Sequence, residues 1–257
     1  PMLNLALMRD WGTVDLFVLP SFRERTFPGL QGRLRLPIRI DTGEALYESS
    51  SKWRHIDFGA GWSHTLGDWD TGLSNVSGTN REPLYQFGID AAGQPVLTPY
   101  YGLINQTGLD VLVAKGSWLW KLETIYRSGQ PPADYVAATA GFEYTFSGVF
   151  GSGMDVSMLT EYLYDERGVQ ATTPFQNDTM LGMRLAANDV QSTELLMGVI
   201  FDSETDTHFI NVEGSRRLGD NWKLNMEARA YNGLKPADLL YSIRNDNYVQ
   251  IELAGYF

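Results

Sequence analysis

Hydrophobic and polar residues alternate with a period of two from one end of the chain to the other, and a helical period of about 3.6 prevails nowhere over a useful length. In 117–128, Trp118, Trp120, Leu122, Thr124 and Tyr126 fall on one face, with Lys121, Glu123 and Arg127 on the other. In 134–147, Val136, Ala138, Ala140, Phe142, Tyr144 and Phe146 oppose Thr139, Gly141, Glu143 and Thr145. In 221–231, Trp222, Leu224, Met226, Ala228 and Ala230 oppose Lys223, Asn225, Glu227 and Arg229. This pattern predicts strands with one mainly apolar and one mainly charged face. About thirteen segments carry it: 2–9, 13–19, 53–65, 69–79, 100–114, 117–128, 134–147, 153–164, 176–187, 191–202, 207–217, 221–231 and 246–257. Most run to roughly 10–14 residues, whereas strands of soluble proteins average about five or six and a tilted membrane strand needs about 9–11.

The connections alternate in kind. Tight turns fall at Asp10-Trp11-Gly12, Gly67-Asp68, Lys115-Gly116, Asn188-Asp189 and Gly219-Asp220-Asn221, and longer polar stretches at 20–52, 80–99, 165–175 and 232–245. Short turns on one rim and long loops on the other suit a barrel whose outer rim alone meets the exterior, with the tight turns periplasmic. Trp11, Trp69, Trp118 and Trp222 sit in or beside those turns, while Tyr126, Tyr135, Tyr162, Tyr164 and Phe201 lie toward the opposite strand ends. Amphipathic rings collect at membrane interfaces in this way.

Composition narrows the function classes. The 257 residues include seven Trp, thirteen Tyr and 26 Gly but no Cys, which excludes disulfide frameworks, thiol nucleophiles and Cys-ligated zinc. A net charge of -11 disfavours nucleic acid, whose binding depends on phosphate neutralisation by Lys and Arg. The longest apolar runs, such as Leu195 to Phe201, fall far short of the roughly 18–20 residues of a spanning helix. No basic segment followed by an apolar run opens the chain at Pro1-Met2-Leu3-Asn4, so an exported protein is read here in mature or trimmed form.

The segment Tyr248-Val249-Gln250-Ile251-Glu252-Leu253-Ala254-Gly255-Tyr256-Phe257 places Val249, Ile251, Leu253 and Phe257 on one face and stops at an aromatic. It resembles the C-terminal signature of Gram-negative outer-membrane β-barrels of the broad porin-like class, in which an alternating last strand ending in Phe is recognised by the barrel-assembly machinery. The resemblance implies a transmembrane antiparallel up-and-down β-barrel in the bacterial outer membrane, with Tyr256 and Phe257 as the assembly signal. It also implies outer-membrane lipid, lipopolysaccharide and the assembly machinery as partners, and leaves room for homo-oligomers. Counting back from a periplasmic Phe257 through thirteen strands puts Pro1 at the outer rim, whereas such barrels have an even strand count and both termini periplasmic. The expectation is one barrel domain over 1–257 lacking an N-terminal portion, from a parent of about fourteen strands or more, wide enough for an aqueous lumen unless plugged.

On that fold the charged alternates line the interior. The acids are Asp15, Asp57, Glu123, Glu143, Asp155, Glu161, Glu194, Asp202, Glu213, Glu227 and Glu252; the bases are Lys121, Arg127, Arg184, Arg217, Lys223 and Arg229. Facing lipid, each would cost a few kcal/mol near the midplane. An excess of acids mildly favours cations in a confined pore. The longest connection carries Arg23, Arg25, Arg33, Arg35 and Arg39, whose guanidinium forks suit anionic solutes at a constriction or lipopolysaccharide phosphates outside, so the net selectivity stays open.

Other motifs carry less. His55, His64 and His208 show no metal-ligand spacing, and no metal or other cofactor is expected. Ser63 and His64 are adjacent on a strand, so they point to opposite faces and do not form a nucleophile-base pair with each other. Gly59-Ala60-Gly61 and Gly151-Ser152-Gly153 lack the strand-to-helix context of a phosphate cradle; the first reads as relief of crowding or strand curvature and the second as a turn. The leading expectation is a non-enzymatic channel for small hydrophilic or anionic solutes. The alternatives are a plugged barrel serving as scaffold or partner in an envelope complex, and a lipid-modifying barrel enzyme. A soluble β-sandwich is the competing fold, and would have to cover rows such as Val136 to Phe146 with a second sheet.

Overall fold

The computed structural model describes every residue except 30, 33–35 and 132. The chain is all-β, with strands β1 (Leu3–Arg9), β2 (Gly12–Leu19), β3 (Arg39–Ile40), β4 (Leu46–Tyr47), β5 (Asp57–Leu66), β6 (Trp69–Thr79), β7 (Leu84–Ile89), β8 (Pro95–Tyr101), β9 (Leu103–Lys115), β10 (Trp118–Ser128), β11 (Tyr135–Phe146), β12 (Asp155–Asp165), β13 (Asn177–Ala186), β14 (Glu194–Asp202), β15 (His208–Leu218), β16 (Trp222–Asn232) and β17 (Tyr248–Gly255). Thirteen of them form one antiparallel sheet in the order β1-β2-β5-β6-β9-β10-β11-β12-β13-β14-β15-β16-β17. These correspond to the thirteen alternating segments. Among the described residues no strand pairing closes this order into a ring. No described helix is long and apolar enough to cross a membrane.

The hairpin turns follow from local chemistry. Gly67 and Gly116 adopt φ of +61° and +60°, left-handed backbone that tight hairpin connections require and side chains resist. At the other end of β5 the alternation overreaches: residues 52–54 form a 3-10 turn closed by Arg54 N–H to Ser51 O at 3.0 Å, and the strand starts only at Asp57.

The chain divides into two compact units, residues 1–110 with 124–136, and residues 111–123 with 137–257. In the first unit, the stretches expected to be irregular loops at 20–52 and 80–99 fold together. The β7–β8 hairpin pairs antiparallel, and β3 and β4 join the far side of β8 in parallel, Arg39 opposite Val96 and Leu46 opposite Tyr100. The prolines of β8 fit this arrangement. The carbonyls of Leu97 and Tyr101 accept from Asp41 N–H and Glu48 N–H, so Pro99, of the same parity, turns its hydrogen-less nitrogen to that side. There residues 42–44 form a 3-10 turn between β3 and β4, so among the described residues no ladder bond is asked of Pro99.

This small sheet has its own buried cluster. Tyr101, 1% exposed, meets Phe22 edge-on at 4.7 Å and Tyr47 at 5.6 Å, and its hydroxyl accepts from Arg25 N–H at 3.0 Å. Burial holds the Tyr101 phenol above its ordinary pKa. At the hairpin tip Asp90 accepts from Gln94 N–H and Ala92 N–H, both at 2.9 Å, and from Arg39 at 3.0 Å. These bonds, the Gln94 N–H foremost, hold its carboxyl below the usual carboxylate range. A depressed folded-state pKa stabilises above the unfolded value and is lost as pH falls through the folded one. Protection of the amides across 84–101, each rate taken against its intrinsic value at the same pH, is therefore expected to fall below the ordinary carboxylate range, and to change less there in Asp90→Asn; equal protection profiles for the two proteins would refute this.

In the second unit the register fixes two faces. Across β12 to β16, Leu181 stands opposite Thr160 and Val199, Val199 opposite Ile210, and Ile210 opposite Ala230. All share the apolar face, and along β11–β17 the one charged residue on that face among the described residues is Arg216, near the Gly219 turn. These side chains are not covered: Leu181 is 49% exposed, Met158 49%, Ile210 40%, Val249 69% and Ile251 70%. The buried hydrophobic side chains among the described residues are instead Phe22, Val96, Tyr101, Tyr135 and Ala171. A sandwich would bury this face against a second sheet, and none of the described residues does so.

Candidate functional site

The polar face of β10–β17 collects most of the expected lining residues. Lys121 Nζ lies 3.1 Å from Glu161 Oε1, and Arg184 Nη2 3.4 Å from Glu143 Oε2. Glu213 stands directly opposite Glu227, and the Arg229 guanidinium answers both, at 3.9 Å and 2.9 Å. The Tyr248 hydroxyl donates to Glu227, and Asn211 donates to Glu213 at 3.0 Å. Glu252 accepts from Asn225 at 3.3 Å. Glu123 is exposed on the same face. Arg217 and Lys223 stand opposite each other in register. Partly exposed ion pairs of this kind contribute only about 0–1 kcal/mol each, so their weight lies in the field they create rather than in stability.

Other expected residues serve different ends. Asp57, expected on an open wall, is 1% exposed. Its carboxylate receives Arg81 Nη2 at 2.6 Å and Thr79 N–H at 2.9 Å, and His55 Nδ1 lies 2.7 Å away. Gly78 makes room, since a Cβ there would lie 2.3 Å from that carboxyl group. Arg81 in turn stacks over Phe22 at 4.6 Å, tying the β5–β6 end to the small sheet. Asp57 is thus an anchor closed off from solvent, because its partners converge on it from the connections at both strand ends. Arg127 is likewise engaged, with Gln106 at 2.8 Å, Glu82 at 3.1 Å and the Tyr135 ring at 5.6 Å.

Among the loop arginines, Arg39 is ion-paired with Asp90 at 3.0 Å and Asp41 at 3.3 Å, which leaves it little charge for a solute. Arg23 is exposed, and Arg25 lies over Phe27 at 5.9 Å. Arg33 and Arg35 lie outside the described residues. Of the terminal pair, Tyr256 N–H donates to Asn221 O at 2.8 Å, and Phe257 packs edge-on against Trp222 at 5.7 Å while remaining fully exposed. Ser63 sits opposite Gly72 and His64 opposite Thr71, on the two faces of the strand as expected. A Cβ at Gly59 would lie 3.5 Å from Phe17, an ordinary contact, and one at Gly61 would meet nothing within 4 Å, so neither glycine is needed to relieve crowding.

Three polar-face residues escaped the sequence reading. Asp110 lies over Gly72, Gln106 receives Arg127, and Asp178 is fully buried opposite Asp202 with its Oδ1 lacking a donor among the described residues. For Asp110 and Asp178 the alternation itself was the available signal. Among the described residues no group of His and carboxylates is placed to hold a metal. Comparison of the chain with protein-family models, with curated proteins and with solved structures gave no match.

Proposed function

We propose that this chain forms part of a bacterial outer-membrane β-barrel that passes small hydrophilic solutes, its apolar face toward lipid and its polar face toward a water-filled path. The observation that carries this reading is the uncovered apolar face of β11–β17 set against a charged opposite face. Moving a Leu or Ile from water into an apolar medium is worth about 1.5–3 kcal/mol, so a face of such residues left in water would be a standing cost. A strand of 11 residues such as β15 is long enough to cross a hydrocarbon layer at a tilt of about 45°. Aromatic side chains support the reading at both ends: Trp118 stacks with Trp120 at 5.3 Å and meets Tyr144 at 4.6 Å near one set of turns, and Tyr162 and Phe201 lie toward the other. On this reading Tyr256 and Phe257 address the assembly machinery, and the exposed Arg23 and Arg25 meet anionic solutes or lipopolysaccharide.

Planar-bilayer recording of the purified protein tests the path. Discrete conductance steps are expected, with anion permeability relative to cations falling about two- to fivefold in Arg23→Gln/Arg25→Gln, the scale of one exposed charge interaction. A folded, inserted protein that never conducts would remove the open-path reading and favour a plugged scaffold.

A further inference from the structure

The polar face of β14–β17 sorts its charges along the strands instead of pairing them. Nearest the Gly219 turn, Arg217 opposes Lys223, and neither forms an ion pair among the described residues. One row on, Ser215 opposes Asn225, flanked by Glu194 on β14 and Glu252 on β17. Beyond that, Glu213 opposes Glu227. Like charges directly opposite destabilise a sheet, and exchanging Lys223 with Glu227 would relieve both juxtapositions, so the arrangement does not serve the fold. Arg229 neutralises part of the Glu213 and Glu227 charge, and Arg184 answers Glu143. Glu194 and Glu252 remain as carboxylates without an ion pair, Glu252 holding only the amide of Asn225.

Two cavities adjoin over these rows, of about 420 Å³ on the acidic side and 470 Å³ on the basic side, and they share Glu194 and Ser215. The basic side also includes Asp220 at the turn. Neighbouring rows on one face are about 7 Å apart along the strand, two residues of roughly 3.4 Å each. We propose that this face binds a small zwitterion of dipeptide length, its carboxylate toward Arg217 and Lys223 and its ammonium toward Glu194 and Glu252. Ser215 and Asn225 stand in the same row as the two glutamates, so the ammonium end sits over them with Glu194 and Glu252 on either side. The inference deepens the channel reading and rests on it to the extent that this face must border water.

Calorimetric titration of diglycine into the folded protein in detergent at low salt tests the subsite without using conductance. Saturable binding is expected, about tenfold weaker in Arg217→Gln/Lys223→Gln and in Glu194→Gln/Glu252→Gln, since each lost charge removes up to about fivefold. With the unaltered protein, N-acetylglycine and glycinamide, which each lack one charge, are expected to bind about tenfold more weakly than diglycine. Glycinamide binding as well as diglycine would overturn the proposal in favour of a plain cation site. Absence of saturable binding would overturn it outright, while leaving the conductance result to stand or fall separately.

Discussion

Leu181→Arg is expected to lower the stability of the protein folded into lipid vesicles by about 2–4 kcal/mol, the cost of a cationic side chain on a lipid face near the midplane. Leu181 is 49% exposed, near the middle of β13, and opposes Thr160 and Val199 on the apolar face. The size of the effect decides the environment. If that face met water, replacing a half-exposed leucine by arginine would change stability by no more than about 0.5 kcal/mol. The matched control is Asn225→Arg on the polar face, expected to be tolerated. Urea unfolding from vesicles measures both. A neutral Leu181→Arg would mean that the uncovered face is not lipid-facing and would sink the membrane reading with it.

Arg81→Ala is expected to cost about 2–3 kcal/mol, and for a different reason. The substitution leaves the Asp57 carboxylate buried with His55 and Thr79 but without its guanidinium at 2.6 Å. Breaking a fully buried ion pair costs about 3–5 kcal/mol; Arg81 is itself 45% exposed, and solvent reaching the pair reduces that figure. The cation-π contact of Arg81 on Phe22 is lost as well. Hydrogen exchange is expected to accelerate across 80–102, where the small sheet leans on this anchor, while β13–β16 stay protected. Unchanged exchange across 80–102 would show that the anchor does not hold the small sheet in place.

The thirteen long strands were legible because each carries a period of two over at least seven residues, and over eleven in Trp222 to Asn232. The small sheet was not. β3 and β4 contribute two residues each, too few for any period, and Pro95 and Pro99 argue against a strand where β8 runs. Only the paired neighbours, and the gap between β3 and β4, make those prolines acceptable. Of the candidate site, the face of each charge could be read from alternation. Which charges meet could not: Lys121 reaches Glu161 and Arg184 reaches Glu143 across 40 and 41 positions, and the opposition of Glu213 to Glu227 depends on the register set by the Gly219 turn. The burial of Asp57 was hidden for the same reason, its principal partner lying 24 positions away in a connection.

The parallel attachment of β3 and β4 to β8 has a consequence for the order of assembly. Most neighbours in the ladder follow one another in the chain and can pair as soon as the second strand exists, β2–β5 and β6–β9 being the exceptions. Arg39, by contrast, meets Val96 only after β5, β6 and β7 have been made, and the whole β5–β6 hairpin lies within the closed stretch. Closing a long segment onto its far end carries an entropic penalty that local hairpins escape, and non-local pairings of this kind form late. The small sheet is therefore expected to set after the local hairpins of its unit.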